Sequence, residues 1–245
     1  MTMLILALSV LAFGLAALAA SPGGFEKDVI PTAQGDLEIT FLGHGTLMMT
    51  FGGKTIHVDP YGEVADYASL PKADLALITH DHYDHLDPEA CRAVITAGTT
   101  VVAAKVCESQ LPGAIVLANG ESRTVLGLLL EAVPAYNILH KRPDGAPFHP
   151  QGVGNGYIIT FGDKRVYIAG DTENTPEMKA LKAIDVAFLP MNLPYTMTPE
   201  QVADAARAFR PKVLYPYHYG DTDAFRLVEL LKGDKDIEVR IRKLS

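Results

Sequence analysis

The chain has 245 residues, 48% hydrophobic and 20% charged, and 29 acidic against 21 basic side chains leave a formal net charge of −8. That length and balance fit a globular fold with a buried core and exclude a disordered or collagen-like chain. The acidic excess, without a run of Lys or Arg, argues against a nucleic-acid surface, which needs a clustered basic face.

Residues 4–20 form an uncharged apolar run that ends in Ala17-Leu18-Ala19-Ala20 and breaks at Ser21-Pro22-Gly23-Gly24. Small residues at that spacing are what a signal peptidase reads, so residues 1–20 are expected to be a signal peptide and the mature protein exported, periplasmic or secreted. The alternative is an uncleaved N-terminal anchor, because about 17–25 apolar residues span a bilayer and Met1-Thr2-Met3 carries no basic side chain. Membrane contact would then run through this segment alone. Two cysteines, Cys91 and Cys107, are too few for a disulfide scaffold, and either one bridge or two reduced thiols fits them.

Residues 37–42 and 46–51 read as strands, and Gly52-Gly53 turns the second into a strand over 54–58. Residues 75–79 are a short apolar strand. Asp87-Pro88-Glu89 combines an N-cap with proline at the first helical position, predicting a helix to about residue 97. A strand over 100–104 and a short helix follow, and residues 122–134 are apolar enough for one or two strands. The second half repeats the plan. Strands over 157–161 and 165–169 flank Gly162-Asp163, a helix follows Thr175-Pro176-Glu177, and 185–190 is a strand. Thr198-Pro199-Glu200-Gln201 is a capping box opening a helix to residue 209. A strand over 213–216, a helix over 223–232 stopped by Gly233, and a strand over 237–241 complete the chain. Two mixed halves of this kind admit an α/β arrangement of two sheets face to face with helices outside, among other architectures.

Eight histidines are present, and three of them fall in Thr79-His80-Asp81-His82-Tyr83-Asp84-His85, directly after an apolar strand. His80 and His82, two apart on extended chain, point to one side and can grip one ion, while Asp84 and His85 can reach a second. Imidazole and carboxylate are the ligands zinc takes when no thiolate is offered. Asp171, in Gly170-Asp171-Thr172, and His218 each follow another predicted strand and are candidates for the remaining ligands.

In these motifs the chain resembles the metallo-β-lactamase superfamily of metal-dependent hydrolases. The His80-x-His82-x-Asp84-His85 signature, the Gly170-Asp171-Thr172 turn and the late His218 occur in the family's order, and Leu42-Gly43-His44, Val58-Asp59-Pro60 and Phe148-His149-Pro150 resemble its other segments. The subgroup most similar is the one including ascorbate-6-phosphate lactonase and N-acylphosphatidylethanolamine phospholipase D. The resemblance covers residues 36–245 and implies a four-layer αββα sandwich, two mixed sheets with helices outside.

It further implies two divalent metal ions, foremost Zn2+ with Mn2+ or Fe2+ as alternatives. His80, His82 and His149 would hold the first, Asp84, His85 and His218 the second, and Asp171 would bridge them. His140 competes with His149 for its role; the turn after His149 leads straight into the hairpin that delivers Asp171, which favours His149. Asp59 is expected to orient a ligand histidine. His44 either lines the site or packs, Tyr195 either reaches substrate or is a loop aromatic, and His57 is structural. The implied reaction is attack on an ester, lactone, amide or phosphodiester bond of a small molecule by a hydroxide shared between the metals, with Asp84 orienting it and moving its proton. Readings of another class are a di-iron redox protein or a metal-dependent binding module of the same fold; the redox version is disfavoured by histidine rather than carboxylate at position 82 and by the lack of a flavin domain. No feature of the sequence bears on oligomeric state.

Overall fold

The alternating apolar positions of the opening segments fold into an antiparallel meander. The computed structural model describes residues 24–245, so the expected signal segment lies outside the described residues. β1 (Glu26–Thr32), β2 (Gly35–Gly43), β3 (Thr46–Phe51) and β4 (Lys54–Val58) pair antiparallel in chain order. Gly52 and Gly53 both have positive φ, 56° and 75°, as the tight turn between β3 and β4 requires. β1 is not expected from the sequence. It is an edge strand whose only buried residue is Ile30, and Pro31 interrupts its pattern.

β5 (Leu75–Ile78), β6 (Thr100–Ala103) and β7 (Ile115–Val116) extend this sheet in parallel from β4. All four residues of β5 are buried, as a strand covered on both faces must be. α1 (Pro88–Val94) joins β5 to β6 and is capped by the Asp87 carboxylate, which accepts from the Glu89 amide. The helix stops at Val94, three residues short of the expected end. Thr96 explains the difference: its amide donates to Thr99 Oγ1 at 2.9 Å, a local turn that competes with helical bonding.

The second sheet repeats the plan. β8 (Ser122–Val125), β9 (Leu128–Ala135), β10 (Gly154–Phe161) and β11 (Lys164–Ile168) are antiparallel neighbours, and β12 (Val186–Pro190), β13 (Val213–Tyr217) and β14 (Glu238–Val239) continue in parallel. α2 (Pro176–Lys179), α3 (Pro199–Phe209) and α4 (Ala224–Leu231) complete this half, and both halves of the Thr198–Gln201 capping box form. β14 is shorter than the expected 237–241 strand. Beyond it Arg242 reaches across to β1 and makes two 2.8 Å contacts with the Asp28 carboxylate, drawing the tail away from the sheet.

Each strand puts alternate residues into different layers. Leu37, Ile39 and Phe41 of β2 face Tyr157, Ile159, Phe188 and Tyr215 of the second sheet in one core. Ile158, Tyr167 and Ala187 face outward onto Val202, Ala206 and Phe209 of α3. Leu42 and Met48 face outward toward Ala90 and Val94 of α1. The result is the expected four-layer αββα sandwich. Burying each large apolar side chain contributes about 1.5–3 kcal/mol, which makes the inner layer the main bond between the sheets. Cys91 and Cys107 are both buried and free, and burial pushes both thiols up to about 12.

Two contacts across the inner layer fix the edge where the histidine motif emerges. Tyr157 Oη donates to the Ile78 carbonyl at 3.0 Å, and the Asn155 amide donates to the Thr79 carbonyl at 2.9 Å. β4, β5, β11, β12 and β13 all deliver their C-terminal ends here, the usual place for a site in sheets with parallel strands.

Candidate metal centre

The seven predicted metal ligands, joined by His44, leave these strand ends or the adjoining turns and converge. His80, His82, His149 and Asp171 form one group and His44, Asp84, His85 and His218 another; within each, one ligand atom per residue lies within 4.8 Å of the others. His80 Nε2 stands 3.1 Å from His82 Nδ1, and His149 Nε2 stands 3.3 Å from Asp171 Oδ2. Asp171 also faces the second group, with Oδ1 3.4 Å from His85 Nε2 and Oδ2 3.5 Å from His218 Nε2. It therefore sits between the two.

The backbone is held in unusual conformations to achieve this. His44, Asp59 and His218 adopt positive φ of 52°, 46° and 46°, a region costing about 1–3 kcal/mol for a non-glycine residue unless its surroundings enforce it. The His218 amide donates to the His44 carbonyl at 3.1 Å, so two of these strained residues support each other. Gly45 leaves room for the rings: a Cβ there would lie 2.9 Å from His85 Cε1 and 3.3 Å from His218 Cδ2.

A layer of polar partners fixes the imidazoles. Asp59 Oδ2 lies 2.8 Å from His85 Nδ1 and Asn137 Oδ1 lies 2.7 Å from His149 Nδ1, so both rings donate through Nδ1 and turn a bare Nε2 into the site. Thr79 Oγ1 donates to Asp59 at 2.7 Å and lies 3.0 Å from His80 Nδ1, which orients the third ring the same way. Asn192 places its side-chain nitrogen 3.4 Å from His218 Nδ1.

Three buried atoms test whether the residues suit a cation. His85 Nε2, His218 Nε2 and Asp171 Oδ1 have no hydrogen-bond partner, and orphaned buried polar atoms are costly, by about 1–3 kcal/mol each. All three face the space between the groups, and all are donors that zinc, manganese or iron accepts. The residues fit two divalent ions.

The electrostatics agree. Burial disfavours charge on His85, yet the Asp171 and Asp59 carboxylates raise it well above the ordinary histidine value. Burial, then the neighbouring His85, lowers His80. Burial works against ionisation of Asp171 and Asp84, but Asp171 is held well below the usual carboxylate range by the charges of His218 and His85, and Asp84 by hydrogen bonds with His218 and His44. The field at the centre favours positive charge.

The other predicted residues separate cleanly. His44 lies with Asp84, its Nε2 3.0 Å from Oδ2. Tyr195 lines the cavity of about 440 Å³ above the groups, and its ring stands edge-on to Phe148 at 5.1 Å. His140 belongs to neither group: Nδ1 points to the Thr196 carbonyl at 2.8 Å. His57 is fully buried and donates through Nε2 to the Pro71 carbonyl at 3.0 Å. Asn137, Thr79, Asn192 and Glu173 escaped the sequence reading. Of these, Thr79 and Glu173 adjoin recognised motifs, whereas nothing local marks Asn137 or Asn192.

Two mixed sheets between helices, with paired histidine–aspartate groups at the strand ends, define a metallo-β-lactamase-fold metal protein. Residues 38–218 match the family model described as a beta-lactamase superfamily domain. A UPF0173 metal-dependent hydrolase of Thermus thermophilus is 32% identical over 193 residues, 75% of this chain and 84% of the relative. The chain belongs to the metallo-β-lactamase superfamily, within its UPF0173 metal-dependent hydrolase family. A solved structure from Parabacteroides distasonis, described as a metal-dependent hydrolase, is 52% identical, covers 90% of this chain and 100% of its own, and superposes with a TM-score of 0.86. Igni18, a metallo hydrolase of the archaeon Ignicoccus hospitalis, is 26% identical, covering 85% of this chain and 96% of its own at a TM-score of 0.67.

Proposed function

We propose that the chain is a hydrolase that holds two divalent cations, foremost Zn2+ with Mn2+ or Fe2+ as alternatives, and cleaves an ester, lactone, amide or phosphodiester bond in a small molecule. The three partnerless buried atoms of His85, His218 and Asp171 carry this reading. In it His80, His82 and His149 hold one cation, Asp84, His85 and His218 the other, and Asp171 serves both. When bound, such a pair lowers the pKa of water from 15.7 toward about 7 and polarises the oxygen of the bond to be cleaved.

The chain's own residues supply the rest. Asp59, Thr79 and Asn137 set the imidazole tautomers, so His85, His80 and His149 present lone pairs rather than N–H groups. Asp84 is the proton carrier: its carboxylate is partly exposed at the cavity floor, it accepts a proton from the attacking water, and it passes one to the leaving group. His44 donates to Asp84 Oδ2 at 3.0 Å and holds that carboxylate in position. Tyr195 and Phe148 form an apolar wall for the substrate. The resemblance to the lactonase and phospholipase D subgroup makes lactones and phosphodiesters the first bonds to try.

The test is elemental analysis of the purified protein together with lactone, phosphodiester, ester and amide panels, for the wild type and Asp84→Ala. About two zinc or manganese ions per chain, turnover in one panel, and loss of that turnover in the folded variant support the reading. Two iron ions without hydrolysis favour a redox role, retained turnover in Asp84→Ala removes that residue's role, and no metal after incubation with excess ion overturns the ligand set.

A further inference from the structure

We infer that the molecule hydrolysed carries a carboxylate or phosphate group, and that Arg142 at the rim of the cavity binds it; this rests on the hydrolase reading above. Among the described residues, Arg142 is the one lysine or arginine lining the 440 Å³ cavity, on the side formed by Phe148 and Tyr195. Arg92, Arg165, Arg207, Arg210, Arg226, Arg240 and Arg242 each lie within ion-pair distance of a carboxylate. Among the described residues, Arg142 and Arg123 alone of the arginines do not. Arg142 instead lies over the Phe148 ring, 5.1 Å from its centroid, and donates one Nη2 bond to the Phe148 carbonyl at 3.3 Å. Most of its five N–H donors remain for a planar oxyanion, which a guanidinium grips through two parallel bonds.

The backbone that carries the arginine is also held in advance of any ligand. The fully buried Glu173 carboxylate accepts from the backbone amides of Ile138, Leu139 and His140 at 3.1, 2.8 and 2.6 Å, which anchors the segment leading to it. Arg142 itself closes a small hairpin, donating its amide to the Ala146 carbonyl at 2.7 Å while its carbonyl accepts from the Gly145 amide at 2.9 Å. Preorganisation of this kind lowers the entropy lost on binding. Charge makes the arrangement specific. The chain is net −8, and Asp84 and Asp171 face the same cavity, so Arg142 supplies a positive charge at the rim of a cavity whose other charged lining groups are carboxylates and imidazoles. A neutral substrate would leave that cation unused.

The experiment measures binding of inorganic phosphate and of succinate to the metal-loaded full chain by calorimetry, in the wild type, Arg142→Met, Arg142→Lys and Arg123→Met. Arg123→Met removes the same charge outside the cavity lining and should stay within about twofold of wild type. Arg142→Met should weaken at least one anion by 10-fold or more, with part of the loss restored by Arg142→Lys. Loss for phosphate alone identifies a phosphate-bearing substrate, loss for succinate alone a carboxylate-bearing one, and loss for both a general oxyanion pocket. Equal affinities in wild type and Arg142→Met for both anions overturn the inference. In parallel, the kcat/KM ratio of a p-nitrophenyl monosuccinate over the neutral p-nitrophenyl butyrate should fall 10-fold or more in Arg142→Met. No turnover of either ester, or of any bond panel, counts against the hydrolase reading; turnover with an unchanged ratio counts against the anion site alone.

Discussion

Asp59 Oδ2 lies 2.8 Å from His85 Nδ1, while His85 Nε2, on the far side of the same buried ring, meets Asp171 Oδ1 at 3.4 Å without a hydrogen bond. One carboxylate thus sets the tautomer and the other marks where a cation belongs. Asp59 reaches this position because β4 ends beside β5: its amide donates to the Leu77 carbonyl at 3.0 Å, and its Oδ1 accepts from the Thr79 amide at 2.8 Å.

Asp59→Asn tests that arrangement. The amide nitrogen can no longer accept from His85 Nδ1–H, so the ring is free to turn or change tautomer. Metal affinity should fall about 10–100-fold, as for other partners of ligand histidines. Competition with a chromogenic chelator measures it, and wild-type affinity in a folded Asp59→Asn protein would contradict the role.

Gly45→Ala should weaken metal binding by a different route. The added methyl would sit 2.9 Å from His85 Cε1, closer than carbon atoms tolerate, so the ring or the turn must shift. A shift of a few tenths of an ångström misaligns Nε2, and the same chelator competition should show at least a 10-fold loss with about 1–3 kcal/mol of lost stability. An unperturbed affinity would show that the turn yields rather than the ring.

His149→Ala and His140→Ala should separate. The first removes a ring whose Nε2 faces Asp171, and metal content should drop from about two ions toward one. The second removes a ring bonded to the Thr196 carbonyl, and metal content should persist. Elemental analysis of both variants decides the matter; loss in His140→Ala alone would reverse the assignment.

His57 makes stability depend on pH. Burial pulls its pKa from 6.5 to about 4, with the bond to Pro71 opposing. The unfolded chain takes up this proton below pH 6.5, the folded chain only below about 4, so stability is lost as pH falls through that window and is unaffected by this group above it. The full effect is about 3 kcal/mol. His57→Gln keeps a donor for the Pro71 carbonyl and removes the ionisation. Urea unfolding of both proteins between pH 4 and 7.5 should therefore give curves that converge or cross toward the acid end, and parallel curves would contradict the assignment.

The local periodicities and caps were legible residue by residue. The capping box at Thr198, the N-cap at Asp87 and the Gly52-Gly53 turn depend on neighbours within four positions, and they form as the sequence implies. The density of histidines after β5 was equally plain, because one apolar strand ending in one turn brings those ligand atoms together without help from distant chain. The edge strand β1 was hidden because an edge needs only one buried position to pair.

What the sequence by itself determined, then, was the set of elements, the chemistry of the ligands and the family resemblance. The tertiary structure alone decided which partners stand behind those ligands. Asn137 against His149 and Glu173 beneath the Arg142 segment join residues 12 or more positions apart, and their geometry depends on how the two sheets stack. Local sequence constrains φ, ψ and burial. The direction in which a second carboxylate or amide meets an imidazole is set by packing between elements, and that is where His140 and His149 take their different neighbours and Arg142 is left with an open face.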